Sequence, residues 1–329
     1  MSRSARQILT LIAALAVAAA AACLIGEVPL TLAQYGEALR QPGSAAGEVL
    51  WSIRAPRTLA AALVGAALGL SGAAMQGLLR NPLADPAVLG VSAFSGLGAA
   101  IALAMGLAAS AGAVEGAALI GSLAAGAALT LLAARLREPE ALVLFGVALS
   151  AMGGALTALV FNLSPSPVAT AEVLSWLMGS VQNRSWIDIA WALPPMALGA
   201  GLCGLSARGL TALTLGEETA ATLGLPMARL RAAAVAGAAL LTGSAVAMAG
   251  IIGFVGLAAP HLVRAGAGEE PGRILVPSAL AGALLLVLAD LVGRLIPSET
   301  ELKLGVLTAL FGAPLFALIA WRASRSWRS

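Results

Sequence analysis

The sequence predicts an all-α, polytopic membrane protein with about ten transmembrane helices, and three observations carry that expectation. The chain has 329 residues, 60% hydrophobic and only 11% charged, with a mean hydropathy of +0.94. A soluble domain carries roughly 25% charged residues. Uncharged runs of about twenty residues recur along the chain, and at ~1.5 Å per residue such a run spans the ~30 Å hydrocarbon layer. Finally, 38 glycines and abundant alanines let helix backbones approach closely where lipid offers no hydrophobic drive. Residues 1–329 are read as one transmembrane domain.

The elements follow in order. Ser2–Arg6 is a short basic head, and the apolar run Ile8–Gly26 is too long for a signal-peptide core, so it is read as the first membrane helix. Glu27–Ser52 is a polar connector ending near Trp51, placed where an interface aromatic anchors a helix. The stretch RAPRTLAAALVGAALGLSGAAMQGLLRNPLADPAVLG, Arg54–Gly90, holds the second helix, Thr58–Leu79. Its far end is a proline-flanked polar turn whose backbone needs water or protein partners. Leu89–Leu107 and Ala117–Ala134 make the third and fourth helices, the charged turn Arg135–Glu140 follows, and Ala141–Asn162 is the fifth.

Leu163–Ser185 contains VLSWLMGS, too short to span and read as interfacial or re-entrant. Trp186–Ala207 is the sixth helix despite Pro194-Pro195, which neighbouring helices can accommodate. A long loop, 208–231, leads to the seventh helix, Ala232–Gly250. The short run Ile251–Val263 is the eighth, Ile274–Val292 the ninth and Leu302–Trp321 the tenth.

Lys and Arg fall unevenly on alternate sides: thirteen, from Arg3 and Arg80 to Arg328, against six, namely Arg40, Arg54, Arg57, Arg184, Arg294 and Lys303. The positive-inside rule then places both termini in the cytoplasm, RNPLADP with them and RAPR outside. Gly65-Ala66-Ala67-Leu68 and Gly237-Ala238-Ala239-Leu240 open helices of opposite direction, an arrangement seen in inverted repeats.

Several chemistries are excluded. A net charge of +3 does not make a nucleic-acid partner, because the basic residues sit in short loops and form no basic domain. Cys23 and Cys203 lie in apolar runs, and no disulfide is expected. One histidine, His261, cannot build a multi-histidine metal or haem site, so neither metal nor cofactor is expected. No G-x-x-x-x-G-K-[ST] occurs, so the chain has no P-loop of its own. Gly69-Leu70-Ser71-Gly72 resembles an intramembrane serine-nucleophile pattern with His261 as base. Their spacings from Arg80 and Arg264, however, offset the two in depth by roughly 9 Å, and small-Ser-Gly is common in packed membrane helices. An ion-coupled secondary transporter finds few facing charges at mid-membrane. Asp290, four residues before Arg294, is read as its ion-pair partner rather than a proton relay.

These residues carry a family resemblance. The Arg54–Gly90 stretch resembles the signature of FecCD-type permeases, the membrane subunits of bacterial ABC importers for ferric siderophores, haem and cobalamin. GFVGLAAPHLVR (Gly253–Arg264), KLGVLTALFGAPLFALI (Lys303–Ile319), WLMGS (Trp176–Ser180) and LGEETAATLG (Leu215–Gly224) match further family segments in order. Where the family has Leu-Pro-x-Gly, this chain has Leu302-Lys303-Leu304-Gly305, which bears on where the tenth helix starts.

The resemblance implies a cobalamin-importer-permease-like (type II ABC importer) fold in the inner membrane, working as a homodimer with a second copy. Two ATP-binding cassette ATPase subunits and a periplasmic substrate-binding protein would be its partners. By the same resemblance Glu217, Glu218, Ala221, Leu223 and Gly224 would contact the ATPase, and Asn81 and Leu83 would belong to a cytoplasmic gate. Arg54, Arg57 and Arg294 would receive acidic residues of the binding protein, and Ser150, Met152, Thr157 and Asn162 would help line the pathway. Ferric siderophore is the first expected cargo, haem the second and cobalamin the third.

Overall fold

The computed structural model describes residues 3–26, 28–107, 110, 112–135, 139–164, 166–296 and 302–326, and every regular element among them is helical. In chain order these are α1 (Arg3–Leu24), α2 (Leu32–Arg40), α3 (Ala45–Glu48), a π-helical turn Val49–Arg54, α4 (Ala55–Leu79) and a 3-10 turn Pro86–Leu89. Next come α5 (Val91–Ala104), α6 (Ala113–Arg135), α7 (Pro139–Leu163), α8 (Pro167–Leu177), α9 (Trp186–Ala212) and a 3-10 turn Leu213–Leu215. The series ends with α10 (Glu217–Thr222), α11 (Met227–Ala249), α12 (Val255–Ala267), α13 (Pro271–Leu295) and α14 (Leu304–Ser326). Part of the expected charged turn, 136–138, and the end of the basic tail, 327–329, lie outside the described residues.

The ten expected helices correspond to α1, α4, α5, α6, α7, α9, α11, α12, α13 and α14. Seven helical stretches among the described residues are long and apolar enough to cross a membrane. By contrast α5 and α12, with 14 and 13 residues, reach only about 20 Å. The expected start of the eighth helix is corrected from Ile251 to Val255, because Gly250 (φ 72°) and Phe254 (φ 67°) turn the chain through left-handed conformations. This unwound stretch sits inside protein, as such backbone must at membrane depth. Ser180 donates its N–H to Ala249 O at 2.7 Å across the junction. The polar connector is not structureless: Thr31 and Gln34 form a reciprocal capping box that starts α2.

The two sequence echoes fall at equivalent places. α4 packs most extensively on α13 and α11 on α6, so each half of the chain supplies a central helix clasped by the other half. The clasp is a backbone contact. A Cβ added at Gly65 would lie 2.2 Å from Gly282 O, and one at Gly72 would lie 2.0 Å from Gly256 O. Between α4 and α11, Thr242 donates to Ser71 Oγ at 3.1 Å, while Ser71 donates to Leu68 O at 3.0 Å. The Ser71 hydroxyl is therefore engaged in helix packing.

Glycine-to-alanine exchange separates packing from propensity. Gly72→Ala should lower the thermal midpoint in detergent, since backbone must move to admit the methyl group. Gly204→Ala, where nothing lies within 4 Å, should be neutral or raise stability by up to ~1 kcal/mol through helix propensity. Equal effects at both positions would show that the α4–α12 contact is not tight.

Candidate functional site

On the RAPR face, the C-terminal end of α1 leaves carbonyls that no helical N–H can reach. Two arginines meet them. Arg54, only 4% exposed, donates to Cys23 O at 3.1 Å, Leu24 O at 3.0 Å, Tyr35 Oη at 2.7 Å, and Val28 O. Arg294 donates to Ala22 O at 2.8 Å and Ile25 O at 3.4 Å. Cations at a helix C-terminus also complement its dipole. Asp290, 2% exposed, then pairs with both Arg294 and Arg57. Arg57 Nε and Nη2 reach Asp290 Oδ1 at 3.0 and 2.7 Å.

The guanidiniums of Arg54, Arg57 and Arg294, expected to receive acidic residues of a binding protein, already have partners within the chain. Arg54 and Arg294 are buried caps of α1, and Arg57 is drawn onto Asp290. The expected Asp290–Arg294 pair is present, with Arg57 as a third member. Tyr35, the only tyrosine in the chain, passed unnoticed in the connector.

An open cavity of about 750 Å³ lies on the same face, with Glu172, Trp176, Gln182 and Lys303 in its wall. One side is braced by Arg184 Nη1 to Glu115 Oε1 at 2.7 Å.

On the opposite face Arg80 ends α4 in a left-handed conformation, φ 48°. Asn81 Oδ1 accepts from Leu83 N at 2.9 Å, so Asn81 shapes the turn. Leu83 lines a narrow crevice with Phe254, Leu257 and His261 of the α12 region and Phe316 of α14. Next to it Asp85 Oδ1 accepts from Ala87 N at 2.9 Å. Burial pushes the Asp85 carboxyl above its ordinary 3.8, against the lowering effect of that hydrogen bond. Behind the turn, Arg264 Nη2 donates to Gln76 Oε1 at 2.6 Å and ties α12 to α4.

The four α7 residues divide. Met152 and Asn162 stand on the side of α7 that the rest of the chain leaves uncovered, and Ser150 is half-buried. Thr157 is corrected: it is buried, with its hydroxyl donated to Gly153 O at 2.9 Å. In the expected coupling loop, α10 exposes Glu218 and Ala221, followed by exposed Leu223 and Gly224, and anchors through buried Ala220. Glu217, also expected at the ATPase contact, is engaged within the chain. It is paired with Arg231, whose Nε also donates to Ala133 O at 3.2 Å, so it fixes α10 against α6.

Three outcomes follow from this site. Asp290→Asn leaves guanidiniums buried without their carboxylate and should destabilise by about 3–5 kcal/mol. Arg54→Lys, which keeps the charge but cannot fork to four acceptors, should lose nearly as much stability as Arg54→Ala. A lysine variant as stable as wild type would contradict the capping role. For Asp85 the raised pKa sets the sign: its favourable contribution is complete below 3.8 and disappears as pH rises through the folded value. Asp85→Asn keeps the turn's acceptor, so it should raise the thermal midpoint at neutral pH, with the gain vanishing in acid. A pH-independent difference would contradict the assignment.

Comparison with known proteins places this geometry. The model of the FecCD transport family matches residues 11–322. The ABC transporter permease protein YvrB of Bacillus subtilis is 41% identical over 290 residues, covering 85% of this chain and 81% of that protein. The vitamin B12 import system permease protein BtuC of Vibrio cholerae is 41% identical over 300 residues, covering 89% and 87%. A solved structure of a transporter described as of the metal-chelate ABC type, in an inward-facing conformation, superposes with a TM-score of 0.85. It is 31% identical, covering 96% of this chain and 98% of that one. The chain is a multi-pass membrane protein and belongs to the FecCD transport family.

Proposed function

We propose that this chain is the inner-membrane permease subunit of an ABC importer for a bulky metal chelate, with no catalytic site of its own. The observation that carries the reading is α10, a short helix held on the RNPLADP face by Glu217–Arg231 with Glu218, Ala221, Leu223 and Gly224 presented outward. Residues 1–329 hold no P-loop, so in this reading an ATPase supplies the energy, and α10 offers the surface for it. Both termini and α10 are assigned to the cytoplasm, the RAPR face to the periplasm.

A second copy would cover the open side of α7, so that Met152, Asn162 and Ser150 border a path between subunits. ATP binding in two partner ATPases would shift the pair between two packings. Leu83 against α12 and α14 would close the cytoplasmic end. A periplasmic binding protein would dock on the RAPR face, where three arginines against Asp290 leave a net charge of +2; the cluster attracts acidic surfaces through its field. Cobalamin moves ahead of ferric siderophore and haem as cargo, because relatives of 41% identity over most of the chain import vitamin B12. The ion-coupled alternative loses ground, because both Asp290 oxygens are taken by arginines.

Purified alone, the chain should show no ATPase activity, and co-expression with its P-loop subunit should yield a complex that hydrolyses ATP. Glu218→Lys should weaken that complex directly. Glu217→Gln should instead loosen α10 and lower coupling with less loss of assembly. Azide-insensitive hydrolysis by the chain alone, or normal assembly in the Glu218→Lys variant, would count against this reading. Binding-protein affinity for a corrinoid, a ferric siderophore and haem would rank the cargo.

A further inference from the structure

The connector after α1 carries a surface to which the proposed transport path assigns no role. α2 rests on the bundle through Ala38, fully buried, in a small cluster with Ala46 and Leu50. Its Tyr35 hydroxyl donates to Leu24 O at 2.6 Å, which fixes the helix at the level where α1 ends. Trp51 Nε1 donates to Ala38 O at 3.1 Å, and Trp186 Nε1 donates to Trp51 O at 2.8 Å. Two tryptophans thus mark the same level, where interface aromatics collect.

Around this helix the residues sort by chemistry. Leu32 and Leu39, 89% and 65% exposed, are seven apart and lie within about 20° of each other on a 3.6-residue turn. They adjoin the arc of Tyr35 and Ala38 that faces the bundle. Glu37 lies about 140° from Leu32. An exposed leucine needs no explanation by itself. A leucine row beside a bundle-facing arc, with the polar arc turned away, is the pattern of a helix lying in a bilayer interface.

We propose that α2 is an in-plane interfacial helix, with Leu32 and Leu39 buried among the acyl chains of the leaflet at the RAPR face and Glu37 in water. The occupant is lipid because α1, joined to α2 by a short connector and bonded to it through Tyr35, leaves one apolar side uncovered, with Leu9, Ile12 and Val17 exposed. The leaflet that surrounds α1 therefore reaches the leucine row. Through Tyr35, which also accepts from Arg54, the height of α2 in the leaflet is tied to the arginine cap of α1. This inference does not depend on the proposed transport role.

Single cysteines test it: Leu32→Cys, Leu39→Cys and Glu37→Cys in a Cys23→Ala background, with buried Cys203 left in place. Each is spin-labelled, and the protein is placed in phosphatidylcholine–phosphatidylglycerol nanodiscs. Power saturation with oxygen, which partitions into lipid, and with a water-soluble nickel chelate then reports each site's surroundings. Labels at 32 and 39 should give an oxygen-to-nickel accessibility ratio several-fold above that at 37. Equal ratios at all three positions would place α2 in water. Leucine-position labels shielded from both reagents would mean a protein covers the row. Either result overturns the proposal.

Discussion

A helix that ends near the edge of the hydrocarbon layer must still satisfy its last carbonyls, and here arginines do it. Arg54 and Arg294 reach the end of α1 from opposite parts of the sequence, and Asp290 balances Arg294 while holding Arg57. One cluster thereby fixes α1, α4 and α13 at the same level. Below it, α4 and α13 touch backbone to backbone at Gly65 and Gly282, a contact that only small residues allow. The charge cluster sets register, and the glycine contact sets distance.

That rigid centre contrasts with its periphery. α4 and α11 are enclosed, whereas α7 leaves a broad side uncovered and α14 borders crevices against α12 and α13. For the proposed importer, such a division would supply a fixed frame and helices that repack against it. The short α12 belongs with the enclosed frame. It begins at left-handed Phe254, meets α4 backbone to backbone at Gly256, and is tied to α4 again by the Arg264–Gln76 hydrogen bond.

Much of the fold was legible because each long helix is a run of apolar residues bounded by charge or proline, which composition reads directly. Boundaries at 250–255 were not legible, since a left-handed Phe254 leaves no local mark in the sequence. α2 was missed because its capping box, Thr31 with Gln34, lies in a stretch whose average polarity resembles a loop. The site residues came from the family resemblance, and their environments were not legible in the sequence. Arg54, Arg294 and Glu217 are charged residues at helix ends, which as sequence resemble exposed handles. Their acceptors, the carbonyls of α1 and the guanidinium of Arg231, come from segments far away in the chain. The family resemblance placed Thr157 on the path with its three neighbours, whereas helix phase turns it inward.

Transport itself tests the central claim most directly. Proteoliposomes holding this chain with its ATPase subunit, ATP inside and the chelate-loaded binding protein outside, should accumulate the chelate. Uptake should stop when ATP or either partner is withheld, whether or not a proton or sodium gradient is imposed. Accumulation by this chain alone, driven by an ion gradient, would contradict the account.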